Sequence, residues 1–187
     1  MGIAFVLGNG VSRQGVDLSK LQQSGKIYGC NALYREFVPD VLVATDIPIS
    51  ERIQKSGYAL SNCFYTRLVL DNLGALRIPE DYFTYSSGPA ALGIAADHGF
   101  EKIYLLGFDM GPLKDETYNN IYADTEFYKK SQSAPVTPVN WITQIESIAK
   151  KHSTTQFVRC VGSATASITR LESLNNFAHL PLNDLGF

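Results

Sequence analysis

Short apolar runs that end in glycine or a polar residue recur along this chain. Residues 3–8 (IAFVLG) form a nearly continuous apolar segment, and 26–31 (KIYGCN) and 41–46 (VLVATD) repeat the theme. Continuous rather than alternating apolarity suits strands covered on both faces, as in a parallel sheet. Pro48-Ile49-Ser50-Glu51 predicts the opening of a short helix that Gly57 stops. Residues 63–67 (CFYTR) predict another strand. The clearest pattern runs from Tyr85 to Asp109. Ser86-Ser87-Gly88-Pro89 supplies capping chemistry for a small-residue helix over Ala90–Asp97, with Gly99 to end it. Lys102 to Leu106 then predicts a strand closing on Gly107-Phe108-Asp109.

Beyond Met110 the chain is polar and tyrosine-rich, and residues 110–136 predict a lid-like loop. Thr137-Pro138 starts a helix whose core-facing stripe is Val139, Ile142, Ile145 and Ile148. Gln156 to Val161 predicts the last strand, followed by a tail over 163–187 with a weakly helical piece and an irregular end, packed on the domain. Strands alternating with helices predict an α/β fold with a doubly wound, mostly parallel, Rossmann-like sheet. The whole chain, 1–187, reads as a single nucleotide-binding domain.

Composition narrows the partners. A formal charge of −2 over 187 residues and a pI near 5.9 argue against a binder of nucleic-acid backbones. No apolar run reaches the roughly 18 residues that suggest a membrane span. The first residues lack a basic n-region, so the expected location is cytoplasmic. Cys30, Cys63 and Cys160 are far apart and lie in or beside apolar runs, which reads as buried free thiols.

In a parallel sheet, ligands bind outside the carboxyl ends of the strands. Here those ends, with the helix start at 86–88, form a polar rim: Gly8-Asn9-Gly10, Asn31, Asp46, Ser86-Ser87-Gly88 and Asp109. Gly8 and Gly10 read either as an anion-binding nest that uses φ > 0 or as a tight turn. Asn9 offers an uncharged amide to a phosphate or carbonyl oxygen. Ser86-Ser87-Gly88 reads as an anion site at a helix start or as a plain cap. Asp46 and Asp109 suit a ribose or a metal, or else a turn. Tyr118 and Tyr122, with Tyr128 following, suit contact with a phosphate or base, or anchoring of the loop. No histidine stands out as a base, and no clustered ligand motif predicts a metal or a cofactor.

Gly8-Asn9-Gly10-x-Ser12, then YGCN (28–31), SSG (86–88) before an Ala-rich helix, and KIYLLGFD (102–109) occur in the order of one family. The chain resembles the bacterial CMP-sialic-acid-dependent sialyltransferases of the Campylobacter type. These begin with a strand and a G-N-G-P-S loop, then carry R-C-N, T-S-G, a small-residue helix and I-Y-L-x-G-x-D. NNFAHLPLN (175–183) is similar to that family's closing segment. The scheme is shared by a wider superfamily that includes archaeal hydroxymethylpterin diphosphokinase-like proteins.

The resemblance implies a metal-independent, inverting transferase with a CMP-linked sugar donor and a small-molecule or glycan acceptor. Asn9 and Asn31 would hold the phosphate and nucleoside, Ser87 and Gly88 would contact the donor, and Tyr118 and Tyr122 would stabilise the leaving phosphate. The family's base is a histidine at the start of the helix after the lid, where this chain has Val139-Asn140-Trp141. Asn140 is therefore the residue to watch at the catalytic position. Thr45-Asp46 stands where the family tends to have Asn-Pro, which turns Asp46 toward a ribose hydroxyl, an exocyclic amine or a metal. Two other expectations stay open: a magnesium-dependent phosphotransferase using Asp46 and Asp109, and a nucleotide-binding protein without catalysis.

Overall fold

The computed structural model describes residues 2–186. Eight strands form one sheet in the order β5-β4-β3-β2-β1-β6-β7-β8, and every neighbouring pair is parallel. They are β1 Ile3–Leu7, β2 Lys26–Cys30, β3 Val41–Ala44, β4 Phe64–Thr66, β5 Leu76–Arg77, β6 Lys102–Leu106, β7 Gln156–Val161 and β8 Phe177–Pro181. The expected mostly parallel sheet is thus wholly parallel, with helices on both faces, and is a Rossmann-like doubly wound fold.

The chain winds outward from β1 to β5, then returns to β6 on the other side of β1. The β1/β6 border is therefore the topological switch point, where the carboxyl ends of two strands diverge and leave a crevice.

Alternate side chains of the strands serve opposite layers, as a period of two requires. Ala4 and Val6 of β1 join Ile103 and Leu105 of β6 in a core covered by α3 (Ser87–Asp97) and α4 (Val139–Lys151). Phe5 and Leu7 face the other way, into a core with Leu21 of α1 (Leu18–Ser24) and with Ile49 and Ile53 of α2 (Ile47–Lys55). Helix α3 lies close on the sheet because its buried residues are small. A Cβ at Gly93 would come within 2.5 Å of the Tyr82 ring.

Two expectations need correction. Val139 is 56% exposed, so the α4 stripe begins at Ile142 and continues through Ile145 and Ile148. The tail is not irregular after its short helix α5 (Thr169–Glu172). Residues Phe177–Pro181 pair in parallel with β7 and close one edge of the sheet. Residues 108–138 contain no helix or strand, as a lid-like loop predicts, yet Tyr122 within them is buried in the core beside α2. No helix among the described residues is long and apolar enough to cross a membrane.

Candidate functional site

A cleft of about 380 Å³ opens at the carboxyl edge of the sheet, over the switch point. The predicted rim converges on it: Gly8, Asn9, Gly10, Asn31, Asp46, Ser86, Ser87, Gly88, Asp109 and Tyr118 all line the space. Ser12, Tyr122 and Asn140 do not.

The floor is built by close approach of two loops. The amide of Gly8 donates to the Leu106 carbonyl at 2.8 Å, and that of Gly10 to the Gly107 carbonyl at 2.9 Å. A Cβ at Gly8 would lie 2.5 Å from the Gly107 carbonyl oxygen. Neither Gly8 nor Gly10 has a positive φ; Gly107 across from them does, at +70°. These glycines serve backbone contact across the switch point. The N–H groups of Gly8, Gly10, Val11 and Ser12 already have acceptors within the protein, so an anion nest cannot draw on them. Val11 donates to Asn119 Oδ1 at 2.9 Å and Ser12 to Asp109 Oδ2 at 3.0 Å.

Asp109 serves as a brace in the cleft floor. Only 3% exposed, it accepts from the Ser12 amide, the Ser12 hydroxyl and Thr165 Oγ1. Ser12 is the partner in that brace. Beneath them Arg159 of β7 donates to the carbonyls of Phe108, Asp109 and Ala166 at 2.8, 3.0 and 2.8 Å. Burial pulls its guanidinium below its ordinary pKa, and Asp109 works against that shift. An arginine inside the apolar run QFVRCV was the signal for this support.

Ser87 is also engaged through its hydroxyl. Its Oγ accepts from the Thr45 amide at 3.0 Å and shares a 2.9 Å hydrogen bond with Thr45 Oγ1, tying α3 to the end of β3. Ser86 precedes α3 without a side-chain cap bond, and its own amide donates to Gln144 Oε1 at 3.0 Å. Pro89 has no N–H, and the Ala90 amide already bonds the Ser86 carbonyl. The N–H groups of Ser87 and Gly88 therefore head α3 beside the cleft, with the helix dipole behind them.

Asn31 follows β2 at φ +51°, a left-handed position that asparagine tolerates better than most residues. Its Oδ1 is buried and has no hydrogen-bond partner. Asn9 is braced: Nδ2 donates to Tyr128 Oη at 3.3 Å, and the Cys30 thiol lies 3.7 Å from Oδ1. Burial pushes that thiol up to about 12, so it stays protonated and unreactive.

Of the loop tyrosines, Tyr118 and Tyr128 line the cleft. Burial raises both phenol pKa values, so both remain hydroxyl donors near neutral pH. Tyr128 accepts from Asn9 and from the Ala32 amide at 3.2 Å, which leaves its own proton for a ligand. Tyr122, expected at the leaving phosphate, sits instead in the layer beneath. There it accepts from Arg13 at 2.9 Å and donates to Glu36. Asn140 is exposed at the start of α4, and its neighbour Trp141 supplies the wall with Phe108 and Phe127. Aromatic loop residues gave a general signal for such a wall, but not which of them would form it.

The charged residues lining the cleft are Asp46 and Asp109; no lysine or arginine lines it. Among the described residues no group of three or more His, Cys, Asp and Glu is placed to hold a metal ion. The arrangement suits a ligand with an aromatic ring, several hydroxyl or amine groups and little negative charge. Comparison with protein-family models, curated proteins and solved structures finds no match to this chain.

Proposed function

We propose that the cleft binds a nucleotide carrying a single phosphate, with a CMP-linked sugar as the favoured form, and that the protein is a sialyltransferase-like glycosyltransferase. The observation that carries this reading is the aromatic-walled polar cleft at the switch point, whose lining residue Asn31 has a buried Oδ1 without a partner in the protein. A buried acceptor without a partner costs about 1–3 kcal/mol, which a ligand hydroxyl or amine recovers. A ribose hydroxyl or the cytosine amine supplies that donor.

The phosphate is assigned to the Ser87 and Gly88 amides heading α3, with the Tyr118 and Tyr128 hydroxyls of the same cleft as donors. A phosphodiester has one negative charge, which these neutral groups can solvate. A triphosphate carries several, no lysine or arginine in the lining offsets them, and Asp109 already accepts three hydrogen bonds, which leaves it little capacity for a bridging magnesium. That charge balance favours a CMP-linked donor over a magnesium-dependent phosphotransferase.

Calorimetric titration tests the reading. CMP is expected to bind in the micromolar to millimolar range, with Asn31→Ala abolishing the heat. Tighter binding of ATP with magnesium than of CMP would overturn it.

A further inference from the structure

We infer that Asp46 is the general base that takes the acceptor's proton, and that the pocket beside it receives a hydroxyl-bearing acceptor. This inference rests on the nucleotide-sugar reading of the main cleft. A second space of about 160 Å³ adjoins the cleft and shares Asn31, Asp46, Phe127 and Tyr128 with it; Pro48 and Ile49 complete its lining. Asp46 thus stands where the two spaces meet. A group there reaches a donor in one space and an acceptor in the other.

The alternatives in the cleft fail one by one. The three hydrogen bonds that Asp109 accepts hold its carboxylate in the floor. The Cys30 thiol is held protonated by burial, and Tyr118 and Tyr128 are pushed the same way. No histidine lines either space. Asp46, by contrast, is exposed, makes no cap bond to the first turn of α2 and forms no ion pair among the described residues. A carboxylate at a helix N-terminus ordinarily caps it. This one is left with its oxygens uncommitted, as proton transfer requires. Phe127, Tyr128, Pro48 and Ile49 give that space an aromatic and apolar lining, which suits the C–H surface of a sugar.

The step balances as follows. The acceptor oxygen forms a bond to the anomeric carbon of the donor sugar while the bond from that carbon to the phosphate oxygen breaks. The electron pair leaves on CMP, and the acceptor's proton passes to Asp46. With water as acceptor the products are free sugar and CMP.

The test uses the full chain with CMP-N-acetylneuraminate, reading CMP release with water alone and with added lactose, alongside CMP affinity. Asp46→Asn is expected to cut turnover by about 10²–10⁴-fold while CMP affinity changes by less than about threefold. Formate is expected to restore part of the turnover of Asp46→Ala, which a merely structural role would not allow. Wild-type turnover in Asp46→Asn, or no response of Asp46→Ala to formate, overturns the inference. Wild-type protein that binds CMP but never releases it from the donor overturns the inference alone. Absence of CMP binding overturns the underlying nucleotide reading and this step with it.

Discussion

Gly10 and Asp109 are packed so closely that a methyl group on Gly10 would lie 2.5 Å from Asp109 Cγ. The same group would meet the Gly107 carbonyl oxygen at 2.7 Å. Backbone cannot yield as a flexible side chain does, so the two strand-end loops would have to part. Gly10→Ala is expected to destabilise the fold by about 1–3 kcal/mol, as overpacking does. Nucleotide binding should weaken with it, because the loop displaced is the cleft floor. Chemical denaturation with unchanged midpoint would refute this account of the glycine.

Arg13 joins three parts of the molecule from a site 4% exposed. Its Nε donates to the Gly8 carbonyl at 2.6 Å, and its guanidinium reaches Tyr122 Oη at 2.9 Å and Glu36 at 3.3 Å. The β1 loop, the long connection and the turn after β2 are thereby held together. Arg13→Met keeps much of the volume but removes every donor. The expected loss is about 1–3 kcal/mol. Tyr122→Phe should cost less, and a double-mutant cycle of Arg13 with Tyr122 should show coupling. Strict additivity in that cycle would mean that the pair does not act as a unit.

Asn31 is placed where function and stability diverge. Its φ of +51° favours glycine, and its Oδ1 lacks a partner. Asn31→Gly is therefore expected to keep or slightly raise the melting temperature without ligand, within about 1 kcal/mol. It should also remove the stabilisation that CMP is expected to give the wild type. Asn31→Ala, strained at this φ, should be the less stable of the two. A glycine variant still stabilised by CMP would show that the amide does not touch the nucleotide.

The polar rim was legible in the sequence because a parallel sheet delivers every strand's carboxyl end to one edge. Gly8-Asn9-Gly10, Asn31, Asp46 and Asp109 could be placed together from strand periodicity alone. Periodicity cannot tell which polar atoms are already engaged. Ser12 answers Asp109, and Thr45 answers Ser87, across separations of 97 and 42 residues. Tyr122 and Tyr128 lie in a connection without a regular period, so nothing local distinguished the core-facing ring from the cleft-facing one. Strand β8 escaped for another reason. An edge strand is covered less, so Phe177-Ala178-His179-Leu180-Pro181 needs no continuous apolar run.

His179 on that strand sets a pH dependence. Its Nε2 is buried without a partner, and its ring lies 5.7 Å from that of Phe177. Burial first, and then the Arg159 charge, lower its pKa from 6.5, with Glu172 opposing. His152 is shifted the same way by burial and Lys151, against Asp97. A depressed histidine pKa means that the unfolded chain binds the proton at higher pH. Their contribution to stability is thus fully present above about pH 6.5 and declines as pH falls from there toward the folded values. Melting temperatures measured between about pH 7.5 and 5 should fall, and His179→Gln with His152→Gln should flatten the slope. An unchanged slope in the double variant would assign the effect to other groups.

Trp141 offers a direct reading of the cleft, because it is the chain's one tryptophan and it lines that space. A nucleobase stacked near an indole exchanges contact with water for contact with a ring, which alters the emission. CMP is therefore expected to quench the intrinsic fluorescence in a saturable way, with a midpoint equal to the calorimetric one. Asn31→Ala should remove saturation while leaving the emission of the free protein unchanged, since Asn31 is remote in sequence and makes no hydrogen bond that holds α4. Asp46→Asn should leave the titration intact, because Asp46 is assigned to the acceptor side. A ribose 5-phosphate titration separates ring from phosphate: it should compete with CMP yet quench little. Equal quenching by ribose 5-phosphate would place the sugar-phosphate, and not the base, against Trp141.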